Sequence, residues 1–164
     1  GGELHHHTHV AANNLVHRSG PGENPFDHID TEEPSMPVVV DWDGNGMLDL
    51  LVGSGNFVRF YNGSFSGTLA HTVFTGSNFS AHGKADLDDG VAPAVVDWNQ
   101  DGKLDLVLGQ NGRLRYFERV ADNELVERIG DESPFSGISL ASTAKLRPAF
   151  VDWDGDTDPD LFVG

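Results

Sequence analysis

The stretch PVVVDWDGNGMLDLLVG, residues 37–53, sets Asp41, Asp43, Asn45 and Asp49 between two apolar runs. Acids crowded into so short a segment repel one another, and apolar neighbours make their charge harder to solvate. The stretch returns as PAVVDWNQDGKLDLVLG from residue 93 and as PAFVDWDGDTDPDLFVG from residue 148. The leading aspartates, Asp41, Asp97 and Asp152, lie 56 and 55 residues apart. Self-similarity at a fixed period of this length is the signature of a repeat architecture, in which each unit buries its apolar face against its neighbours.

The match continues past each motif. NFVRFY at 56–61 corresponds to GRLRYF at 112–117, LAHT at 69–72 to LVER at 125–128, and ENPFDHI at 23–29 to ESPFSGI at 132–138, with a weaker echo in SNFSAHG from residue 77. Each period reads as four short β segments, at 37–42, 48–52, 57–61 and 68–73 in the first full copy. They are rich in Val, Leu, Phe and Tyr and bounded by Gly, Asn and Asp. No stretch sustains a helical apolar period. Four short antiparallel strands per period predict an all-β fold of β-propeller blades.

The N-terminal GGELHHHTHVAANNLVHRSG resembles a histidine tag, yet it aligns with NGRLRYFERVADNELVERIG, residues 111–130. Leu4 falls on Leu114, Val10 on Val120, Leu15-Val16 on Leu125-Val126 and Arg18 on Arg128. A tag would not keep that register. The expected organisation is therefore residues 1–20 as strands three and four of a partial blade, 21–75 as a first full repeat and 76–130 as a second. Residues 131–164 follow as a linker plus the first two strands of a third. Two complete blades are thus flanked by two halves. Propellers close with about four blades or more, so the halves call for neighbouring blades, either from a longer chain or from associating copies. The longer chain is the preferred expectation.

Within each copy, oxygen-bearing side chains fall at positions 1, 3, 5 and 9: Asp41, Asp43, Asn45 and Asp49; Asp97, Asn99, Asp101 and Asp105; Asp152, Asp154, Asp156 and Asp160. Alternating oxygens on a tight loop converge on one point, and the backbone carbonyl at position 7 (Met47, Lys103, Asp158) can join them. An all-oxygen cage suits Ca²⁺, which takes six to eight such ligands at flexible angles, whereas Mg²⁺ wants a stricter octahedron and Zn²⁺ wants His or Cys. Position 6 is Gly46 and Gly102, where the chain turns sharply; the third copy has Thr157 there, which leaves its geometry less defined. An EF-hand shares the opening spacing but needs a Glu at position 12 and flanking helices. Here that position is Val52, Leu108 or Val163, and the flanks are strands. The competing reading of one such loop alone is an Asx-rich hairpin turn; three loops of one pattern favour about three calcium sites.

The pattern P-x-[VF]-V-D-W-[DN]-x-[DN]-G-x-x-D-L, complete in the first two copies, resembles the FG-GAP/VCBS repeat of integrin-α-type propellers, also similar to some fungal lectins and bacterial surface proteins. The resemblance covers nearly the whole chain. It implies that the acidic loop joins strands one and two of a blade and holds Ca²⁺, and that the protein is an extracellular adhesion or recognition module. GVAP at 90–93 comes nearest the family's Gly-Ala-Pro element, from which SMP and LRP in the other copies depart.

The remaining composition narrows the function. The 164-residue chain carries 26 acids against 10 bases, a net charge of −16, which disfavours nucleic acid and anionic membranes as partners. No apolar run approaches the roughly 20 residues of a membrane span, and the absence of cysteine excludes disulfides, zinc-thiolate sites and thiol catalysis. Asn62 and Asn78 begin glycosylation sequons. Trp42, Trp98 and Trp153 either stack on sugars or pack between blades, and packing is preferred. His5, His7 and His9 share one strand face that can bind a transition metal, although a solvated edge is the plainer reading. KADLDD at 84–89 reads as a charged connecting loop without ligand spacing. No G-x-S-x-G, H-E-x-x-H or phosphate-binding glycine loop is present, so the expectation is a non-enzyme. The leading function is an adhesion or protein-interaction scaffold, with a glycan-binding module as the alternative and a polysaccharide-cleaving propeller third.

Overall fold

The computed structural model describes residues 2–11, 14–18, 24–31, 34–55, 57–64, 68–72, 90–141 and 145–164. Among these the regular secondary structure is all β apart from one short turn of 3-10 helix at Gly130–Glu132. In chain order the strands are β1 (Gly2–Glu3), β2 (His6–Ala11), β3 (Asn14–Arg18), β4 (Asp30–Thr31), β5 (Ser35–Val40), β6 (Asp49–Ser54), β7 (Phe57–Gly63) and β8 (Leu69–Thr72). They continue as β9 (Ala92–Val96), β10 (Asp105–Gln110), β11 (Arg113–Ala121), β12 (Glu124–Arg128), β13 (Pro148–Val151) and β14 (Asp160–Val163).

Two four-stranded antiparallel meanders, β5-β6-β7-β8 and β9-β10-β11-β12, form the centre. They are accompanied by the hairpins β2-β3 and β13-β14 and the short β1-β4 pair. None of these described sheets closes on itself. The register repeats with the sequence: Val38 faces Leu51, Ala94 faces Val107, and Ala149 faces Phe162. On the next strand pair, Leu51 faces Phe60 and Val107 faces Tyr116. The N-terminal hairpin follows the same rule, since His9 faces Leu15 as Arg119 faces Leu125, and both pairs precede a bulge at an alanine. The first strand stops at Val40, short of the expected residue 42, because Asp41 turns the backbone into the loop through its own hydrogen bonds.

Every residue of β6 and of β10 is buried, on both faces. Alternate side chains of a strand point to opposite sides, so each of these strands feeds two layers of core. Leu51 enters a layer with Trp42, Val58 and Phe60 that meets Leu106, Leu108, Phe117 and Leu125 of the next sheet. Leu50 and Val52 face the other way, toward Leu4, Ile29 and Tyr61. Val107 lies among Val96, Leu114, Tyr116, Phe135 and Leu146. The sheets thus stack face to face, which is why their inner strands read as continuous apolar runs.

Gly53 and Gly109, at equivalent places in β6 and β10, allow the stacking. A Cβ on Gly53 would stand 2.4 Å from the Val91 carbonyl oxygen, and one on Gly109 would stand 2.0 Å from that of Leu146. The segment entering each following sheet therefore crosses directly over a glycine. The PFDHI and PFSGI turns supply a further wedge: Phe26 packs against the layer holding Leu50, and Phe135 sits within the layer holding Val107.

Candidate metal centre in the acidic loops

The three acidic segments, residues 41–48, 97–104 and 152–159, connect β5 to β6, β9 to β10 and β13 to β14. In all three the leading aspartate accepts the loop's own backbone N–H groups, at positions 5 and 6 in the first two and at positions 4 and 6 in the third. Asp41 accepts the N–H groups of Asn45 (3.0 Å) and Gly46 (2.9 Å), and Asp97 accepts those of Asp101 (3.0 Å) and Gly102 (2.9 Å). Asp152 accepts those of Gly155 (2.8 Å) and Thr157 (3.1 Å). Asp43, Asn99 and Asp154 each accept the N–H two residues on. Asn45, Asp101 and Asp156 do the same for Met47, Lys103 and Asp158. The contacts described at position 7 thus run through N–H groups.

Positions 4 and 6 take left-handed φ values in every loop: 72° and 84° at Gly44 and Gly46, 57° and 85° at Gln100 and Gly102, and 81° and 77° at Gly155 and Thr157. Thr157 therefore follows the glycine path despite its β-branch, a conformation disfavoured for such a residue. The loop shape survives the loss of the turn glycine.

The loops differ in how their carboxylates converge. Asp41, Asp43 and Asp49 bring one oxygen each to within 4.8 Å of one another, and Asp152, Asp154 and Asp156 do likewise. Oxygens around one Ca²⁺ lie about 2.3–2.6 Å from it, so opposite pairs stand about 5 Å apart; both groups fit that span. Among the described residues, no such trio forms from Asp97, Asp101 and Asp105. There Lys103 Nζ holds Asp101 at 2.9 Å, and this hydrogen bond, ahead of all other influences, lowers the Asp101 pKa. Asp160 lies outside the third trio and instead accepts the Trp153 N–H at 2.9 Å.

Position 9 has a second task. Asp49 is buried and accepts the N–H groups of Trp42 (2.8 Å) and Gly63 (2.7 Å), tying the loop entrance to the end of β7. Asp105, fully buried, ties Trp98 (3.3 Å) to Arg119 (2.8 Å) and also accepts the Tyr116 hydroxyl (2.6 Å). Burial is the main reason that the Asp105 pKa is raised, and burial with the Asp105 hydrogen bond raises that of Tyr116.

Sequence reasoning missed four participants, Asn62, Glu118, Arg119 and Gln100. Asn62 Nδ2 stands 3.5 Å from Asp43, while in the next repeat Asn99 Nδ2 stands 3.3 Å from Glu118: acid and amide have exchanged places between loop and strand. Only overlaying the two registers reveals this. Arg119 is buried, lies with its Cζ 5.1 Å over the Trp42 ring and donates to the Trp42 carbonyl; its aligned counterpart is Gly63, so no repeat pattern marks it. Gln100 Nε2 reaches Asp158 at 2.6 Å and bridges two loops.

Trp42 is 3 % exposed in an inter-sheet layer, and Trp98 packs on Phe135 at 4.8 Å, whereas Trp153 is 75 % exposed beside Phe162. Asn62 sits within β7 with its side chain at the first loop; Asn78 and the KADLDD segment lie outside the described residues. Among the described residues no helix is long and apolar enough to cross a membrane.

The family model for the FG-GAP-like repeat matches the chain twice, over residues 41–108 and 97–163. Comparison with curated proteins and with solved structures gave no match.

Proposed function

The chain belongs to the FG-GAP-like repeat family, and from that premise we propose that it is a calcium-stabilised, extracellular β-propeller module serving adhesion or protein interaction. The observation that carries the calcium reading is the convergence of Asp41, Asp43 and Asp49 within 4.8 Å, repeated by Asp152, Asp154 and Asp156. These carboxylates, with Asn45 beside the first trio, would hold the ion; the middle loop, with Asp101 engaged by Lys103, is the weakest of the three. Bound calcium supplies two positive charges that offset the crowded acids. The residues themselves keep the loop curled by accepting its backbone N–H groups, so the chain pre-organises the oxygens before an ion arrives.

The stacked, doubly buried sheets support reading each four-stranded meander as a blade. The scaffold is favoured over the glycan-binding reading because two of the three repeated tryptophans are engaged in inter-sheet packing. A family of surface-adhesion repeats and the strong acidity of the chain suit a module exposed to calcium-rich surroundings.

Ligand that binds only the folded state stabilises it by about 2.7 kcal/mol per site at one hundred times Kd. Thermal unfolding in excess calcium should thus occur several degrees above that in excess chelator. Equal melting temperatures would end the calcium reading. A glycan array probed with calcium separates the partner classes: silence supports the scaffold, and specific sugar retention supports the lectin.

A further inference from the structure

A group of histidines, side chains of a kind that can ligate a metal, lies outside the acidic loops on the N-terminal hairpin. His7 of β2 faces His17 of β3 directly across the pair, and His5 precedes β2 two residues before His7. Residues two apart on a strand share a face, so three imidazoles gather on one exposed surface. The ring of His7 stacks on that of His17 with centroids 4.9 Å apart and 21° between planes. His5 meets His17 edge-on at 5.1 Å, and a 3.1 Å hydrogen bond joins His5 Nδ1 to His17 Nε2, the donor set by the tautomer.

The fold holds this hairpin in place. Leu4 is buried with Ile29, Leu50, Val52 and Tyr61, and its carbonyl accepts Asn24 Nδ2 at 3.1 Å. Arg18 Nε donates to Thr8 at 2.6 Å, where the equivalent Arg128 donates to Glu118 at 2.7 Å. The histidines are consequently set by a packed strand pair in the register of the repeats.

The 3.1 Å separation has chemical meaning. Imidazole nitrogens about 2.05 Å from one ion stand about 2.9 Å apart at a right angle and about 3.3 Å apart at the tetrahedral angle. The observed pair lies between these two values. We propose that His5 Nδ1 and His17 Nε2 chelate one first-row transition-metal ion, Zn²⁺, Cu²⁺ or Ni²⁺, with water filling the remaining positions and the His7 ring, stacked on His17, orienting that ligand. Metal binding replaces the hydrogen bond: the ring that donated it shifts its proton to its other nitrogen through water, so that each ring offers one lone pair to the ion and keeps its N–H on the far side. The donors are borderline nitrogen ligands, so the site is chemically separate from the all-oxygen loops and does not rest on the calcium reading.

Titration calorimetry with Zn²⁺ and with Cu²⁺, in excess Ca²⁺ to occupy the acidic loops, tests the assignment. One ion binds per chain, more tightly for Cu²⁺ than for Zn²⁺. His5→Ala and His17→Ala each weaken binding about tenfold or more, His7→Ala weakens it less, and His28→Ala, on the exposed PFDHI turn, leaves it unchanged. His5→Gln, which keeps a polar group without a strong ligand, loses binding as His5→Ala does. Unaltered circular dichroism confirms that the variants fold. The proposal is overturned if the wild-type protein takes up no transition metal in excess Ca²⁺, or if the double variant His5→Ala/His17→Ala binds it as the wild type does.

Discussion

Position 9 of the acidic loops is a structural tie whether or not it also ligates a metal, and Asp105→Ala puts numbers on that tie. The Asp105 carboxylate is fully buried and accepts three donors: Trp98 N–H at 3.3 Å, Tyr116 hydroxyl at 2.6 Å and Arg119 N–H at 2.8 Å. Each donor left unsatisfied in the interior costs about 1–3 kcal/mol. Removing a buried charge returns part of this, because burial already raises the Asp105 pKa and so disfavours its ionised form. A net loss of about 3–4 kcal/mol follows, and it should be present in excess chelator. Asp43→Ala is the contrast. Its carboxylate is exposed, and the Asn45 N–H that it accepts at 3.1 Å is also bound by Asp41 at 3.0 Å, so without metal the change should stay within about 0.5 kcal/mol. Urea denaturation of both variants, with calcium and with chelator, reads the two effects. A cost for Asp105→Ala under about 1 kcal/mol in chelator, appearing only when calcium is added, would refute the tie and return Asp105 to the role of plain ligand. The pH dependence has a definite sign. A carboxyl whose folded pKa is raised contributes stability that is full below its unfolded pKa, about 3.9, and is lost as pH rises through the folded value. Asp105→Asn, which cannot titrate, should therefore lack that downward slope just above pH 4.

The repeat register permits matched substitutions in different surroundings. Leu125, at 0 % exposure between two sheets, and Leu15, at 66 %, occupy equivalent places opposite Arg119 and His9. Leu125→Ala should cost about 2–5 kcal/mol and Leu15→Ala under about 0.5 kcal/mol by denaturant unfolding; equal costs would contradict the stacking of the central sheets. Thr157 holds a φ of 77°. Thr157→Gly relieves a left-handed penalty of about 1–2 kcal/mol at a cost of about 0.5–1 kcal/mol in chain entropy, so a gain of up to about 1.5 kcal/mol is expected. A variant less stable than the parent would show that the threonine is held by more than its backbone.

The repeat spacing alone sufficed for the strands, their antiparallel order and the curl of each acidic loop. Those features rest on neighbours in the chain: short apolar runs bounded by turn residues, Asx hydrogen bonds to the next N–H groups, and glycines or their substitutes at positions 4 and 6. It also reached the N-terminal hairpin, where the alignment of Arg18 with Arg128 reappears as the same cross-strand bond. Other properties came only with the tertiary structure. Three tryptophans identical in motif differ in exposure from 3 % at Trp42 to 75 % at Trp153. Asp49 and Asp105 turn inward to tie a later strand, Arg119 caps the Trp42 ring, and Gly53 and Gly109 prove to be crossing points for the next segment. The motif specifies which groups a loop offers to itself. Burial, charge cost and close approach depend on which sheet lies over a given face, and that is decided by residues some 50 positions away, beyond the reach of any local pattern.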